Sequence, residues 1–154
     1  MVARFFSLRS FRFILLAGVA AVALGACATN HTTMSQPDFS GQSATQSATA
    51  LNQLAARYKS NPRDKVTIIY YAAALRAADQ PDQAVAVVES GMGYYKNDAD
   101  LKVAYAKALS AAGRFEQALN VIEDAINPAS PDWNALMVKG AILDQSGSND
   151  DARA

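Results

Sequence analysis

One cysteine, one histidine and one tryptophan occur in the 154 residues, and each scarcity removes a class of chemistry. A lone thiol forms no intramolecular disulfide and no multi-thiol metal site. With His31 as the only imidazole, most histidine-based acid–base catalysis and most imidazole metal chemistry fall away. Charge is also scarce, at 18% of residues against roughly 25% in ordinary globular chains. Its distribution matters more than its sum of zero. Arg4, Arg9 and Arg12 precede Cys27 and no acidic residue does. Without those three arginines the 14 basic side chains fall to 11 against 14 acidic ones, a net charge near −3. Such a surface carries no electrostatic footprint for nucleic acid or anionic lipid head groups. No HExxH motif is present, and Gly91-Met92-Gly93 ends a helical stretch instead of opening a phosphate loop after a strand.

What is present begins with an export pattern. After the arginines, Phe13 to Leu24 form twelve unbroken apolar residues, within the range of a secretory signal and short of the roughly 20 that span a bilayer. Leu24-Gly25-Ala26-Cys27 then resembles a lipobox, the processing signature of bacterial lipoproteins. The resemblance implies cleavage before Cys27 and a covalent lipid on its thiol, so residues 1–26 read as a signal peptide. Ala28, where inner-membrane lipoproteins often carry Asp, implies an outer-membrane destination on the periplasmic face. A protein so modified is anchored to the membrane without spanning it. No other cofactor is expected.

Residues 27–48 follow with Ser, Thr, Gln and Asn and no hydrophobic period. Such a composition buries too little apolar surface to offset ordering entropy, so it reads as a disordered tether, with His31 solvated within it. From 49 to 154 the chain reads as helical repeats. At an offset of 34, Tyr71 falls on Tyr105, Ala72 on Ala106, Leu75 on Leu109, Ala84 on Ala118 and Val88 on Ile122. One period further, Ala106 reaches Gly140, Leu109 reaches Leu143, Gly113 reaches Gly147 and Ala118 reaches Ala152.

Thirty-four residues is the tetratricopeptide period, and the alternation of small and large positions resembles that family. The implied fold is all-α, a solenoid of antiparallel helix pairs after a signal peptide and disordered tether. Ala72, Ala106 and Gly140 would let first helices approach closely, with Ala84, Ala118 and Ala152 doing so for second helices. Leu75, Val88, Leu109, Ile122 and Leu143 would fill the space between repeats. Helices are expected near 48–60, 65–78, 81–92, 99–112, 115–126 and 131–146. Asp64 and Ser130 are the expected caps of the second and last, Pro81 opens the third, and Gly113 supplies a left-handed terminus. Gly91 departs from the family's usual Ala. The third repeat stops barely into its second helix, so the last repeat is expected to be incomplete, the chain truncated, and an apolar face including Leu136 and Ile142 uncovered.

Pro131-Asp132-Trp133 leading into Lys139-Gly140-Ala141-Ile142-Leu143-Asp144-Gln145, after lipobox and tether, resembles the TadD lipoproteins of tight-adherence (Tad/Flp) pilus assembly. The resemblance implies a non-catalytic interaction scaffold that assists the secretin or other pilus components. Alternatives are a general repeat lipoprotein of envelope assembly, serving outer-membrane protein insertion or peptidoglycan machinery, or a non-catalytic tethering subunit of an envelope enzyme. Protein partners are expected, nucleic acid and small-molecule substrates are not. By register with the family, the first helix of each repeat lines a peptide groove with Ile69, Ala73 and Arg76, then Val103, Lys107 and Ser110, then Met137, Ala141 and Asp144. Glu116, Glu123 and Asp124 read as a solvated helix face. Trp133 reads as packing at a repeat boundary, ahead of a role as a binding anchor.

Overall fold

The 34-residue grid becomes geometry at the helix ends. The computed structural model describes residues 43–147, with Phe39 and Gly41 ahead of them; the export segment, Cys27, His31 and Ala152 lie outside those residues. The described residues form six α-helices and no strand. They are α1 (Ala44–Ser60), α2 (Lys65–Ala77), α3 (Pro81–Met92), α4 (Ala99–Ala111), α5 (Phe115–Ala125) and α6 (Trp133–Gln145).

Three aspartates 34 residues apart start every second helix. The side chains of Asp64, Asp98 and Asp132 accept from the backbone N–H of Thr67, Leu101 and Asn134, each satisfying a donor that the first turn leaves unpaired. The hydroxyl of Thr67 donates to Asp64 as well. Helices α2 and α4 stop by one device. Gln80 N–H bonds Leu75 C=O and Asp79 N–H bonds Arg76 C=O; Arg114 N–H bonds Leu109 C=O and Gly113 N–H bonds Ser110 C=O. These 6→1 and 5→2 pairs are Schellman termini, which need a left-handed residue. Asp79 and Gly113 supply it, at φ of 58° and 73°, and Gly147, at φ of 85°, is left-handed at the same position after α6, where its N–H bonds Asp144 C=O.

Two boundaries differ from the sequence expectation. Helix α1 begins at Ala44, four residues early, because Ser43 and Gln46 form a capping box that the polar composition concealed. Residues 44–48, expected in the tether, are therefore helical. Helix α6 begins at Trp133, capped by Asp132 and not by Ser130, which leaves Pro131 ahead of the helix.

Helix pairs pack in sequence order, and α2 also touches α4, as α4 touches α6. No such contact joins α1 to α3 or α3 to α5. The layer of α2, α4 and α6 is thus the tighter, inner layer of a curved stack. Small side chains permit the approach: Ala72 and Ala106 are buried on this layer, and Ala84 and Ala118 on the other. Leu75, Val88, Leu109 and Ile122 are sealed between them, each adding about 1.5–3 kcal/mol of transfer energy. At the end of the stack the expected pattern shifts by one residue. Ile142 is buried, and Leu143 and Leu136 are half-buried. The large apolar side chains exposed on α6 are instead Trp133 and Met137, at 78% and 72%.

Gly91 has a local reason. It is buried on α3, and a Cβ there would come within 3.0 Å of two atoms of Ile68, a fully buried side chain of α2. Ion pairs tie neighbouring helices, α2 to α4 as well as α5 to α4 and α6. Lys65 Nζ lies 2.9 Å from Asp98 Oδ2 and 3.0 Å from Asp100 Oδ2. Lys102 joins Asp124 at 2.6 Å, and Lys139 joins Glu123 at 2.8 Å.

Candidate functional site

The inner layer holds a cleft of about 430 Å³, where three successive first helices present one stripe each. Helix α2 contributes Arg76. Helix α4 contributes Lys107, Ser110 and Ala111, spaced i, i+3 and i+4. Helix α6 contributes Asn134, Met137, Val138, Ala141, Ile142 and Gln145, a single helical stripe along its length. Ser110 Oγ donates to Gln145 Oε1 at 2.7 Å, a cross-link from α4 to α6 within the lining.

Two cations set the electrostatics. Burial lowers the pKa of the Arg76 guanidinium below its usual value. Burial likewise lowers that of the Lys107 ammonium, and the positive charge of Arg76 lowers it further, while Asp132 pulls it back up. Desolvation and like-charge proximity both disfavour the protonated amine. No aspartate or glutamate lines the cleft. Asp132 acts from the N-cap of α6, where its carboxylate accepts from Asn134 N–H at 3.0 Å.

The nine residues read from the sequence as a groove divide in two. Arg76, Lys107, Ser110, Met137 and Ala141 come together in the cleft lining. Ile69, Ala73 and Val103 do not: they are 1%, 3% and 3% exposed. Direct packing of α2 on α4 leaves no open groove at that depth, so these three are core. Asp144 is exposed and outside the lining, one position short of Gln145. Five lining residues were not among the nine: Ala111, Val138 and Ile142, and Asn134 and Gln145, of which the last two follow from extending Met137 and Ala141 by i−3 and i+4. Asp144, at i+3 from Ala141, lies a helical step of 100° away from Gln145. Trp133 does not pack at a repeat boundary among the described residues; its ring is exposed one turn before Met137.

The carboxylates of α5 are placed elsewhere. Glu123 and Asp124 face lysines of the neighbouring helices, and Glu116 is exposed. Among the described residues no cluster of three His, Cys, Asp or Glu could hold a metal ion, and no helix is long and apolar enough to cross a membrane.

A family model described as tetratricopeptide repeat matches residues 75–142, from the end of α2 into α6. No match is found among the curated proteins. The fold is all-α and of the tetratricopeptide helical-repeat type. Such repeats serve as protein-interaction modules, whose curvature creates a concave binding surface.

Proposed function

We propose that this chain is a lipoprotein held through Cys27 at the periplasmic face of the outer membrane, where it binds a component of the tight-adherence pilus machine. The observation that carries the binding role is the cleft of α2, α4 and α6, since an inner helical layer with an open, partly apolar, partly cationic groove suits a peptide or helix from another protein. The chain then works by holding, without chemistry of its own: its single thiol is consumed by lipid, and its helical carboxylates Glu123 and Asp124 are spent on ion pairs. The run from Lys139 to Gln145, similar to that of the TadD lipoproteins, supports the pilus as the setting and its secretin as the partner.

Two measurements test this reading. Cys27→Ser should abolish labelling with radioactive palmitate and release the protein from the membrane fraction; continued labelling would overturn the anchor. A photo-crosslinking amino acid placed at Met137, exposed at the edge of the cleft, should capture the secretin in the cell of origin. Capture of an outer-membrane protein insertion or peptidoglycan component would move the scaffold to another machine.

A further inference from the structure

The net charge near −3 that remains after Cys27 hides an uneven sorting of charge between the two edges of the stack. Short connections reverse the chain between packed helices, so the α1–α2 and α3–α4 connections lie on one edge. The Tyr95 hydroxyl joins them, donating to Arg63 C=O at 2.6 Å. The Arg63 guanidinium lies 4.8 Å from the centre of the Tyr94 ring. Arg57 and Lys59 stand on the same edge, in the last turn of α1. With Arg63 and Lys96 they make four exposed cations, and among the described residues none of the four joins a carboxylate in an ion pair. The carboxylates of these helix starts are engaged: Asp64 caps α2, Asp98 caps α4, and Asp98 and Asp100 hold Lys65. Glu89 stands one turn back along α3, where its charge acts on Tyr105 of α4. On the opposite edge the exposed charges are Asp79, Asp82, Glu116 and Asp144, beside Arg114. The dipole of α1 favours cations at its C-terminus and accounts for Arg57 and Lys59. It gives no reason for Arg63 and Lys96, which lie in the connections.

Resting on the reading of a lipid anchor at Cys27, we infer that this edge docks on anionic lipid head groups and turns the helical stack so that the α1–α2 and α3–α4 connections meet the bilayer. Averaged over the chain, charge gives no footprint for such lipids; the fold makes one locally by gathering Arg57, Lys59, Arg63 and Lys96. The four are spread over a helix end and two loops, which suits a diffuse layer of phosphates better than a single anion. Tyr94 is 50% exposed among them, and a ring with a polar hydroxyl is at home at head-group depth. An anchor holds the membrane at high effective concentration, so a patch too weak to recruit protein from solution still suffices to orient it. The attraction decays within about 8 Å at physiological salt, so the edge must lie on the surface and not merely face it.

The test uses the lipidated protein, purified from membranes and reconstituted on vesicles of phosphatidylcholine, alone or with one lipid in three replaced by phosphatidylglycerol. With Cys27 acylated, an introduced cysteine is the thiol that takes a bimane label. Ser60→Cys places it on the cationic edge and Ala77→Cys on the opposite one, both at exposed positions. A nitroxide on the lipid head group should quench the label at position 60 about twofold or more strongly in anionic than in neutral vesicles, and high salt should remove the difference. Quenching at position 77 should not rise with anionic lipid. Lys59→Gln, Arg63→Gln and Lys96→Gln combined should abolish the response at position 60, whereas Arg114→Gln should leave it intact. Circular dichroism checks that the combined variant keeps its helices, and a graded loss through the three single variants keeps the inference testable if it does not. Equal quenching in the two kinds of vesicle, or a lipid response that survives the combined substitution, would overturn the inference while the anchor stands. A label at position 60 that responds to added poly-glutamate but not to lipid composition would give the edge to an acidic protein and overturn the inference. Protein that leaves neutral vesicles altogether would overturn the anchor at Cys27, and this inference with it.

Discussion

A single backbone position shows how closely this chain follows its own grid. Asp79, Gly113 and Gly147 occupy equivalent left-handed turns, yet only two of them are glycine. A β-carbon in that region costs about 1–2 kcal/mol, and less for Asp than for most residues. Gly113 has open space where a Cβ would stand, so strain alone decides its substitution. Gly113→Ala should destabilise by about 1 kcal/mol. Asp79→Gly should relieve strain but raise unfolded-state entropy by a similar amount, leaving stability within about 0.5 kcal/mol of the parent. Chemical denaturation of both variants checks the pair; equal losses would mean that the two turns are not equivalent. The same scale explains Gly91. Helix propensity favours Ala there by about 1 kcal/mol, but the fully buried Ile68 occupies the space.

Helix bounds were legible wherever a cap sat on an obvious residue. Helices α2 to α5 fall within a residue of the sequence expectation because Asp64, Pro81, Gly113 and the apolar period mark them. Helix α6 starts two residues later than its sequence suggests because Ser130 and Pro131 mimic a cap and first turn, while the periodic cap is Asp132, in phase with Asp64 and Asp98. Of the cleft, the cations and Met137 were legible from register. The depth at which α2 meets α4 was not, because a repeat period gives direction around a helix and says nothing of how far its neighbour covers it. Ile69, Ala73 and Val103 were lost to that. The caps also predict a pH response. Hydrogen bonds, first from the Thr67 hydroxyl, hold the Asp64 carboxyl below its ordinary value. A depressed carboxylate contributes stability above its unfolded pKa, about 3.9, and loses it as pH falls through the folded value. Lys65 moves upward, chiefly through its hydrogen bond to Asp98. Its contribution is complete below about pH 10 and disappears as pH rises through the folded value. Asp98→Asn keeps a capping oxygen but removes one partner of Lys65, so it should cost only about 0.2–1 kcal/mol at neutral pH. Asp98→Ala removes both and should cost about 1–2 kcal/mol. The alkaline limb of the stability profile should flatten in both variants, and a full-size alkaline limb in Asp98→Asn would show that Lys65 draws its stabilisation from Asp100 alone.

Across the whole stack, stability is a sum over neighbours. Among the described helices, α4 packs against α2, α3, α5 and α6, whereas α1 packs against α2 alone, and α6 against α4 and α5. In a nearest-neighbour solenoid the element with the most partners opens last, and the ends fray first. Amide hydrogen exchange should therefore be slowest from Leu101 to Ser110 and fastest in α1, with α6 between them. The position of the cleft gives this ordering a functional meaning. Its cation Lys107 sits on the most protected helix, while Met137 and Ala141 sit on α6, which is held from one side by α5 and otherwise by the α4 contact that includes Ser110 and Gln145. One wall of the groove is thus rigid and the other adjustable, so a ligand that bridges them should slow exchange in α6 more than in α4. A core truncation separates global from local opening. Leu109→Ala, at a fully buried position of α4, should cost about 2–5 kcal/mol against a total of about 5–15 kcal/mol for a domain, and speed exchange in every helix. Leu54→Ala, on α1, should speed exchange in α1 and α2 while leaving α4 to α6 at parental rates. Uniform acceleration by both variants would mean that the six helices open as one cooperative unit, with no adjustable wall in the cleft.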